Sequence, residues 1–493
     1  MSATKSNSDL LWTGPDLIEA MGARLEGGAC GAITGVSIDT RTLAPGDVYF
    51  AIRGDVHDGH AFVGEAFRRG AAAAVVDEAH VDEIHVDEIH AGELAGAGPL
   101  LVVPDVLRGL ENAARAARAR ASADCVAVTG SVGKTSTKEA LRLALGSQGK
   151  VHASAASYNN HWGVPLSLAR MPATCDFGVF EIGMSAPGEI VPLTEMVRPD
   201  VAIVTTVAPV HLEFFPSIAA IADAKGEVFL GLEPGGVAVI NRDIGEFARL
   251  KAHAMASPAG RIITFGEHDE ADVRARRIIS QADCTVVDAT VFGVPVAYRI
   301  GSPGRHIALN SLAVLATVKA LGGDLALAAL ALSDLAPPVG RGERTRLNVA
   351  GGDVLLIDES YNANPASMRA AIEALGQSNI GFRGRRIAVL ADMLELGAES
   401  ERLHEALVET LEENAVDVVF AAGPAMKSLW HRLPMTMRGS YASTPADLEA
   451  TVTAALRAGD VVMIKGSNGT RISRLVTALK GRFAVSPPMA VKV

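Results

Sequence analysis

The stretch Thr129-Gly-Ser-Val-Gly-Lys-Thr-Ser-Thr-Lys138 decides how this sequence is interpreted. It follows an apolar run at residues 125–128 with the composition of a strand, and it precedes a helix-like segment at residues 139–145. In that context a glycine-rich loop binds phosphate, because its backbone N–H groups turn towards one anion at the positive end of the helix. The loop therefore predicts a nucleotide site, in which Lys134 neutralises the β- and γ-phosphates and the hydroxyl of Thr135 binds Mg²⁺.

The glycines of this loop are closer together than in the usual phosphate-binding loop. Only two residues separate Gly130 from Gly133, whereas the usual template has four residues between its first glycine and the Gly-Lys pair. The shorter spacing indicates a particular subclass of nucleotide-binding proteins. We expect the whole loop to contact ATP, through Gly130, Ser131, Val132, Gly133, Lys134, Thr135 and Ser136.

The size and composition of the chain favour a compact protein with small-molecule partners. A length of 493 residues predicts roughly three domains, and 49% hydrophobic with 20% charged residues predicts a compact fold. The net charge of −11 argues against a general nucleic-acid or anionic-membrane surface. Four scattered cysteines without a CxxC pair indicate neither a disulfide framework nor a zinc ribbon. Because no signal-peptide core or apolar run of membrane-spanning length is present, we expect a cytoplasmic protein, and we expect a monomer.

The order of apolar runs and breakers predicts an α/β architecture with largely parallel sheets. Short apolar or β-branched runs alternate with Ala/Leu-rich segments of helical length. Pro104 and the Pro/Gly-rich segment 337–342 interrupt this rhythm, and they predict domains at residues 1–104, 105–336 and 337–493. We expect residues 266–301 to extend the central domain with strands, since they are too few to bury their own core. The runs predicted as strands are residues 73–76, 100–103, 125–128, 177–180, 201–204, 237–240, 354–357, 387–390, 418–420 and 461–464.

Residues 76–90 contain three near-copies of a five-residue unit that ends in histidine. The three histidines, His80, His85 and His90, stand among acidic residues, which suggests a metal-binding tract. On a helix, however, a spacing of five rotates successive side chains by about 140° and does not gather them on one face. We therefore predict a duplicated surface segment rather than a metal site within the repeat.

Further polar residues follow predicted strands, where parallel α/β folds open their binding sites. Glu181 ends one such run and suits a hard cation, and His211 lies just beyond the next run. Taken alone, a solvated glutamate and a structural histidine would explain them, but the phosphate loop nearby favours a shared Mg²⁺ environment. For Lys225 the sequence alone favours an ordinary helix lysine.

The last third of the chain carries three more polar groups of residues. The segment 341–346 contains several arginines suited to phosphate or carboxylate. The predicted strand at 354–357 ends in the polar stretch Asp358-Glu-Ser-Tyr-Asn-Ala-Asn-Pro365, which indicates ligand binding at a strand-to-helix turn. Lys465-Gly-Ser-Asn-Gly469 repeats this arrangement after the strand at 461–464 and is a weaker indication of an anion site.

Together these blocks resemble the Mur ligases, the ATP-dependent amide-forming enzymes that build the peptide stem of bacterial peptidoglycan. The resemblance runs through nearly the whole chain, and it is closest to the members that add D-alanyl-D-alanine. Pro209 and Val210 stand where family members commonly have an alanine before the histidine, and residues 183–188 lack the polar residue often found in the family after Met-Asn. The motifs that carry the resemblance are residues 129–135, 158–165, 181–184, 211–213, 224–227, 358–365 and 392–397.

The resemblance implies a fold, an activity and a set of site residues. It implies an N-terminal UDP-binding α/β domain, a central P-loop-type parallel-sheet ATPase domain and a C-terminal Rossmann-like α/β domain. The implied reaction joins D-alanyl-D-alanine to UDP-N-acetylmuramoyl-tripeptide through an acyl phosphate, with ATP and Mg²⁺. The third stem residue, meso-diaminopimelate or lysine, stays open, and no general base is singled out.

Residue roles follow from the same resemblance. Lys134, Glu181, His211 and Lys225 are the implied catalytic groups, and Thr135, Glu181, His211 and Lys225 are the implied metal region, with Lys225 carbamylated. Asn310, Arg341 and either Asp358 or Glu359 are the further implied ATP contacts. The implied substrate contacts are Ser37, Asp39, Arg41, Asn159, Asn160, Asn362, Asn364 and, most weakly, Lys465.

Two other kinds of function compete with this interpretation. One is another ligase of the same superfamily, either the enzyme that adds the third amino acid or folylpolyglutamate synthase; the Tyr361-Asn-Ala-Asn-Pro365 block argues against both. The other is a P-loop nucleotide switch or a non-catalytic ATP-binding scaffold, which Glu181, His211 and Lys225 beside the loop disfavour.

Overall fold

The computed structural model describes residues 10–54, 56–82, 84, 98–155, 157–209, 213–281 and 283–486. His211, His85 and His90 lie outside these ranges. Within them the chain forms three main sheets of five, nine and seven strands, joined by helices, and a small two-stranded pair. No helix among these residues combines the length and the apolar character that crossing a membrane requires.

The first sheet has the strand order β2-β7-β6-β5-β4, in which β4 to β7 are parallel and β2 is antiparallel. Helix α3 packs its apolar side against this unit, because Val106, Leu110 and Ala113 are buried in the same core as Trp12. The elements are β1 (Trp12–Thr13), α1 (Gly14–Met21), β2 (Arg24–Glu26), β3 (Ala32–Ile33), β4 (Gly35–Ser37), β5 (Asp47–Phe50), α2 (Val63–Arg68), β6 (Ala73–Asp77), β7 (Leu100–Val103) and α3 (Val106–Arg120).

The second sheet has the order β16-β15-β14-β13-β12-β11-β8-β10-β9. Strands β8 to β13 are parallel, and β14 to β16 extend the sheet as an antiparallel meander, as the sequence predicts for residues 266–301. The elements are β8 (Asp124–Thr129), α4 (Lys134–Gly146), β9 (Val151–Ala153), α5 (Gly163–Ala169), β10 (Phe177–Glu181), α6 (Ile190–Val197), β11 (Val201–Val204), α7 (Ile218–Gly226), β12 (Val237–Asn241), α8 (Phe247–Met255), β13 (Arg261–Gly266), β14 (Val273–Ser280), β15 (Thr285–Val291), β16 (Val294–Ile300), α9 (Arg305–Ala320) and α10 (Leu325–Ala331).

The third sheet has the order β21-β20-β19-β22-β18-β17-β23 and is parallel from β18 to β21. Its other two strands, β17 and β23, are antiparallel at one edge. The elements are β17 (Glu343–Val349), β18 (Gly352–Glu359), α11 (Pro365–Gly376), β19 (Arg386–Ala391), α12 (Ser400–Glu405), α13 (Leu407–Glu413), β20 (Val418–Ala422), α14 (Met426–Arg432), β21 (Arg438–Ala442), α15 (Pro445–Ala455), β22 (Val461–Lys465), α16 (Ser473–Arg482) and β23 (Val485–Ser486).

The central strands are apolar along their whole length because both faces of the sheet are covered. Successive strand side chains point to opposite faces, so Val126 and Val128 of β8 join one core while Cys125 and Ala127 join the other. All ten runs predicted as strands lie in strands of the structure, and the predicted α/β class with parallel-dominated sheets is confirmed. Strand β8 lies between β10 and β11. The strand order reverses at β8, and at such a switch point the connections on either side diverge and leave a crevice at the carboxyl end of the strand.

Arg118 ties α3 to the central unit. Its side chain is 7% exposed and donates to the carbonyl oxygens of Val197 at 2.8 Å and Arg198 at 2.9 Å. These are carbonyls at the end of α6, where Arg198 takes the left-handed conformation with φ 46°. The guanidinium thus satisfies helix-end acceptors that a purely apolar contact would leave without partners.

We predict that Arg118→Met lowers the free energy of unfolding by about 3 kcal/mol, because it removes a buried charged donor from several acceptors. Arg115→Met in the same helix is the matched control. Arg115 has a half-exposed side chain and meets Glu111 at 3.4 Å, so its loss should cost less than about 1 kcal/mol. Differential scanning calorimetry of both variants measures the difference, and equal losses would contradict this role of Arg118.

Candidate active site between two parallel sheets

A cavity of about 1130 Å³ lies where the carboxyl ends of the second sheet face those of the third. The phosphate loop and the end of β10 line one side of it. The stretch after β18 and the turn after β22 line the other. Of the predicted site residues, those that line the cavity are Ser131, Val132, Gly133, Lys134, Thr135, Ser136, Asn159, Asn160, Glu181, Asn310, Arg341, Glu359, Asn362, Asn364 and Lys465.

The phosphate loop turns sharply between β8 and α4. Gly133 has φ 86°, a left-handed conformation that other residues adopt at a cost, and α4 begins at the next residue. A Cβ atom at Gly133 would lie 2.5 Å from the side-chain nitrogen of Asn310. Glycine is therefore required at this position for two reasons: the left-handed backbone angle and the close approach of Asn310 on α9.

Lys134 lies folded back over the loop that it follows. Its ammonium donates to the carbonyl oxygen of Gly130 at 2.8 Å. Burial lowers the pKa of Lys134, the nearby Glu181 raises it, and Arg341 lowers it further. Two cations thus converge on one cavity, which is the electrostatic setting that a polyphosphate requires.

The strand next to β8 holds the loop in shape. The hydroxyl of Thr205, just after β11, donates to the carbonyl oxygen of Val132 at 2.6 Å. The Ser131 hydroxyl donates to the carbonyl of Ala208 at 3.1 Å and accepts from the N–H of Ala208 at 2.9 Å. These hydrogen bonds from the segment after β11 hold the loop in its conformation. The role of Thr205 was not predicted from the sequence.

Glu181 and Thr135 form a compact oxygen cluster at the base of the cavity. The Thr135 hydroxyl donates to one carboxylate oxygen of Glu181 at 2.8 Å, and Asn159 donates to the other at 2.7 Å. Glu181 is completely buried and Thr135 is 5% exposed. A buried carboxylate beside a hydroxyl, on the floor of a site with converging cations, is a donor set that suits a hard divalent ion.

Lys225 lies near this cluster but does not line the cavity. It stands in the last turn of α7 and is 2% exposed. Among the described residues its side chain makes no hydrogen bond and no ion pair. Burial lowers the pKa of Lys225 well below its usual value, and the charge of Lys134 lowers it further. An ordinary helix lysine, as the sequence alone favours, would reach solvent or a carboxylate, and Lys225 reaches neither.

Arg341 connects the two sides of the cavity. Its guanidinium lies 4.1 Å from the ring centroid of Tyr361 and donates to the hydroxyl of Ser157 at 3.4 Å. One partner belongs to the third sheet and the other to the loop after β9. Arg341 therefore stands at the mouth between the two units, where a planar cation can contact an anionic or aromatic ligand.

The far wall contains an acid and a lysine that contact each other. Lys465 is 2% exposed, donates to the carbonyl of Asn362 at 2.9 Å and lies 3.4 Å from the carboxylate of Glu359. Of the two acids that the sequence leaves open for the ribose, Glu359 lines the cavity. Asp358 lies behind it and accepts bonds from the N–H and hydroxyl of Ser360, at 3.0 and 2.6 Å.

The turn at residues 393–397 completes this wall and is held from behind. The buried ring of His404 accepts from the N–H of Met393 at 3.0 Å and contacts the carbonyl of Ser400 at 2.7 Å, so it is a neutral ring with its proton on Nδ1. Burial lowers the pKa of His404, which favours this neutral form. Ser467 adds a bond from the N–H of Leu394 at 3.0 Å.

Three predicted substrate residues lie away from this cavity, at the end of β4. Ser37 is buried and its hydroxyl donates to the carbonyl of Asp39 at 3.0 Å. Asp39 in turn holds Arg41, whose side chain is 84% exposed, through a contact of 2.6 Å. They form a separate polar corner of the first unit, in which the guanidinium of Arg41 is exposed to solvent and paired with Asp39.

The structure also places residues at the cavity that the sequence analysis did not identify. Thr205, Asn241 and His306 line it, from two strand ends and the start of α9. Only a strand-end position marks most of them in the sequence, and that signal does not separate a wall residue from a solvated one. Gly130, Asp358 and Lys225 are predicted residues that lie behind the walls.

Three family models match the chain in succession. "Mur ligase family, catalytic domain" matches residues 32–119, and "Mur ligase middle domain" matches residues 128–318. "Mur ligase, glutamate ligase domain" matches residues 340–468. Together they span all three sheets.

Curated relatives and solved structures agree with these models. The UDP-N-acetylmuramoyl-tripeptide–D-alanyl-D-alanine ligase of Bacillus subtilis is 32% identical over 453 residues, 91% of this chain and 93% of the relative. The enzyme of the same name from Escherichia coli is 30% identical over 92% of this chain and 95% of its own length. MurF from Acinetobacter baumannii has a TM-score of 0.80 at 27% identity, over 95% of this chain and 98% of that one. MurF ligase from Thermotoga maritima in complex with ADP has a TM-score of 0.71 at 27% identity, over 91% and 98%.

We predict that Gly133→Ala weakens ATP binding about tenfold or more. A left-handed non-glycine residue costs roughly 1–2 kcal/mol, and the added methyl also collides with Asn310. Gly146→Ala, at the end of the same helix, is the control, since its Cβ would meet only Val151 at 3.9 Å. Calorimetric titration with ATP compares the two, and equal affinities would show that the loop tolerates a side chain at residue 133.

Proposed function

This chain belongs to the Mur ligase family, and we propose that it joins D-alanyl-D-alanine to the terminal carboxylate of UDP-N-acetylmuramoyl-tripeptide in peptidoglycan precursor synthesis. The enzyme is an ATP-dependent ligase that forms an amide bond. The observation that carries the proposal is the shared cavity, in which the phosphate loop of one sheet faces the polar strand ends of another. The names of the relatives supply the substrates.

The reaction needs two transfers in one site. The tripeptide carboxylate oxygen attacks the γ-phosphorus of ATP, ADP leaves, and an acyl phosphate forms. The amine of D-alanyl-D-alanine then attacks the acyl carbon, loses a proton and expels phosphate. A carboxylate resists amines because its leaving group would be oxide, whereas phosphate leaves readily, so activation makes the amide bond accessible.

The cations of the cavity support this chemistry. Lys134 is proposed to hold the γ-phosphate, and Arg341 to contact ATP from the opposite unit. Their charges offset the negative charge that gathers on the phosphoryl oxygens in both transfers. Asn310, packed against Gly133, is proposed to contact the adenine, and Glu359 the ribose; Asp358 is the alternative for the ribose.

Magnesium fits the oxygen cluster at the base of the cavity. Thr135 and Glu181 are proposed to hold it, with His211 as a further ligand. The ion would supply Lewis-acid neutralisation of phosphate oxygens. The protein residues position the nucleotide and exclude water from the acyl phosphate, because Glu181 and Thr135 lie at the buried end of the site.

Lys225 is proposed to be carbamylated. The ammonium group would first lose a proton; the free amine would then attack carbon dioxide, form an N–C bond and release a second proton, so that a buried cation becomes an anion. The lowered pKa favours the unprotonated amine that this reaction needs. A carbamate also explains the burial, since an anion is better suited than an ammonium group to a metal region that already contains Lys134.

The remaining assignments concern binding and organisation. Ser37, Asp39 and Arg41 are proposed to contact the UDP-sugar, and the asparagines and Lys465 on the cavity walls to contact the tripeptide and dipeptide. We propose domains at residues 1–104, 105–336 and 337–493, although α3 is shared by the first two cores. We propose a monomer in the cytoplasm. The proposed asparagine contacts are Asn159, Asn160, Asn362 and Asn364.

A mass-spectrometric assay of amide formation tests the activity, with ATP, Mg²⁺, both UDP-tripeptides and a panel of dipeptides. The expected result is UDP-pentapeptide formation that requires D-alanyl-D-alanine. Lys134→Ala should reduce kcat by roughly a hundredfold or more, because it removes a charge from the transferring phosphoryl group. Lys150→Ala, an exposed lysine, is the control. Phosphate release without dependence on a dipeptide would instead favour a nucleotide switch, and full activity of Lys134→Ala would refute the loop assignment.

Carbon-13 NMR tests the carbamate directly. In ¹³C-bicarbonate the wild-type protein should give one carbamate resonance that disappears in Lys225→Arg, because a guanidinium does not add to carbon dioxide. Lys251→Arg, at an exposed lysine, should keep the resonance. A resonance that persists in Lys225→Arg would place the modification elsewhere or exclude it.

A further inference from the structure

A second cluster of ionisable side chains lies in the first unit, away from the cavity. His60 and His80 stack face to face, with ring centroids 4.0 Å apart and planes inclined by 13°. Asp58, His60 and His80 each offer a ligand atom, and these atoms lie within 4.8 Å of one another. His80 ends the first copy of the five-residue repeat, and its contacts with Asp58 and His60 join that copy to a segment outside the repeat.

Two carboxylates bracket the stacked rings, one at each edge. At one edge Asp58 lies 2.6 Å from Nδ1 of His60 and 3.7 Å from Nε2 of His80. At the other edge Asp77 lies 2.6 Å from Nδ1 of His80 and 3.7 Å from Nε2 of His60. Each acid therefore faces one nitrogen of each ring. The Asp58 edge offers two nitrogens and a carboxylate. At the other edge the Asp77 carboxylate contacts His80, and the Asp77 N–H donates to Nε2 of His60 at 3.2 Å.

We propose that Asp58, His60 and His80 bind one divalent transition-metal ion of the zinc class. Two imidazole nitrogens and one carboxylate oxygen are the donors that Zn²⁺ prefers, and three protein ligands leave a position for water. The ligands come from the turn at residues 58–60 and from the corner after β6. The ion would join these two segments of the first unit. This inference does not depend on the ligase activity.

Asp77 supplies the outer support that a metal-bound histidine needs. It already contacts His80 through Nδ1, which leaves Nε2 of His80 directed towards the Asp58 edge. A carboxylate behind a metal-bound imidazole sets its tautomer and orientation and raises its basicity. Nε2 of His60 now accepts from the N–H of Asp77 at 3.2 Å. On metal binding the ring proton would move from Nδ1 to Nε2, and the ring must turn so that this proton faces the Asp77 carboxylate, now 3.7 Å away.

The charge balance of the cluster also suits a dication. Asp58 accepts from the backbone N–H of His60 at 3.0 Å and lies 2.6 Å from Nδ1 of its ring. The cation now paired with it is Arg53, at 3.0 Å, whose side chain is 73% exposed. Arg53 can swing into solvent when an ion arrives. Two carboxylates then neutralise one divalent ion.

Access and mobility of the ligands are sufficient for binding. The side chains of Asp58 and His80 are 28% and 17% exposed, so an ion reaches them from solvent. Their Nε2–oxygen distance of 3.7 Å fits two bonds of about 2.1 Å to a shared ion. His80 stands on a short 3₁₀ turn, Glu78–His80, and the two rings must splay from their parallel stack to converge on the metal.

Calorimetric titration of the full chain with Zn²⁺, in excess Mg²⁺, tests the site. Wild-type protein should bind one equivalent that His80→Gln weakens by more than about a hundredfold. Asp77→Ala should weaken it by roughly 10- to 100-fold, the usual effect of removing an outer carboxylate. His57→Gln, an exposed histidine of the same segment, is the matched control and should bind like the wild type.

Two further measurements make the outcome decisive. Co²⁺ should give the intense visible absorption of a four-coordinate site in the wild type and lose it in His80→Gln. Melting curves without metal verify that each variant is folded, and only the wild type and His57→Gln should melt at higher temperature with Zn²⁺. No bound equivalent in the wild type, undiminished binding in His80→Gln, or wild-type affinity in Asp77→Ala would each overturn this ligand set.

Discussion

The active site depends on the hydrogen bonds between the phosphate loop and the segment after β11. Thr205 and Ser131 join the loop to the segment after β11, while Gly130 and Gly133 take angles that let the chain pass so close. A Cβ at Gly130 would lie 1.9 Å from the Thr205 hydroxyl. The short glycine spacing is therefore matched to its neighbour: a longer or bulkier loop would not fit against β11. Lys134 and the start of α4 take their positions from this contact.

The second requirement is that the second and third sheets face each other with the carboxyl ends of their parallel strands. Each sheet alone would leave its polar strand ends in water, where Glu181 or Glu359 would be an ordinary solvated acid. Facing each other, they enclose a cavity that contains cations from both units, Lys134 from one and Arg341 and Lys465 from the other. A ligase that must keep an acyl phosphate away from water gains from such an arrangement, because nucleotide and acceptor can meet inside the protein.

Much of the fold was predictable, because its physical signals are local. Strands buried on both faces are apolar throughout, so the runs at 125–128, 201–204 and 461–464 were visible without any tertiary information. The phosphate loop was equally visible, since its glycines and lysine are adjacent in the chain. The roles of Thr205, His404 and Asp77 were not visible in the sequence, because each side chain contacts a residue of a different structural element. Lys225 shows the same limit: its helical position is ordinary, and what distinguishes it is a buried side chain that pairs with none of the described residues.

By itself, the sequence determined that this protein is an α/β chain with a phosphate loop, and its motifs indicated the family. Those properties depend on short-range patterns of glycine, charge and hydrophobicity. Only the tertiary structure decided which of the two acids at the end of β18 faces the cavity and which lies behind it, because adjacent strand residues point to opposite sides. It also decided that His80 stacks on His60, a residue outside the repeat. A five-residue period does not bring histidines together, but the corner after β6 and the turn at Asp58 do, because the parallel pairing of β5 and β6 places them side by side.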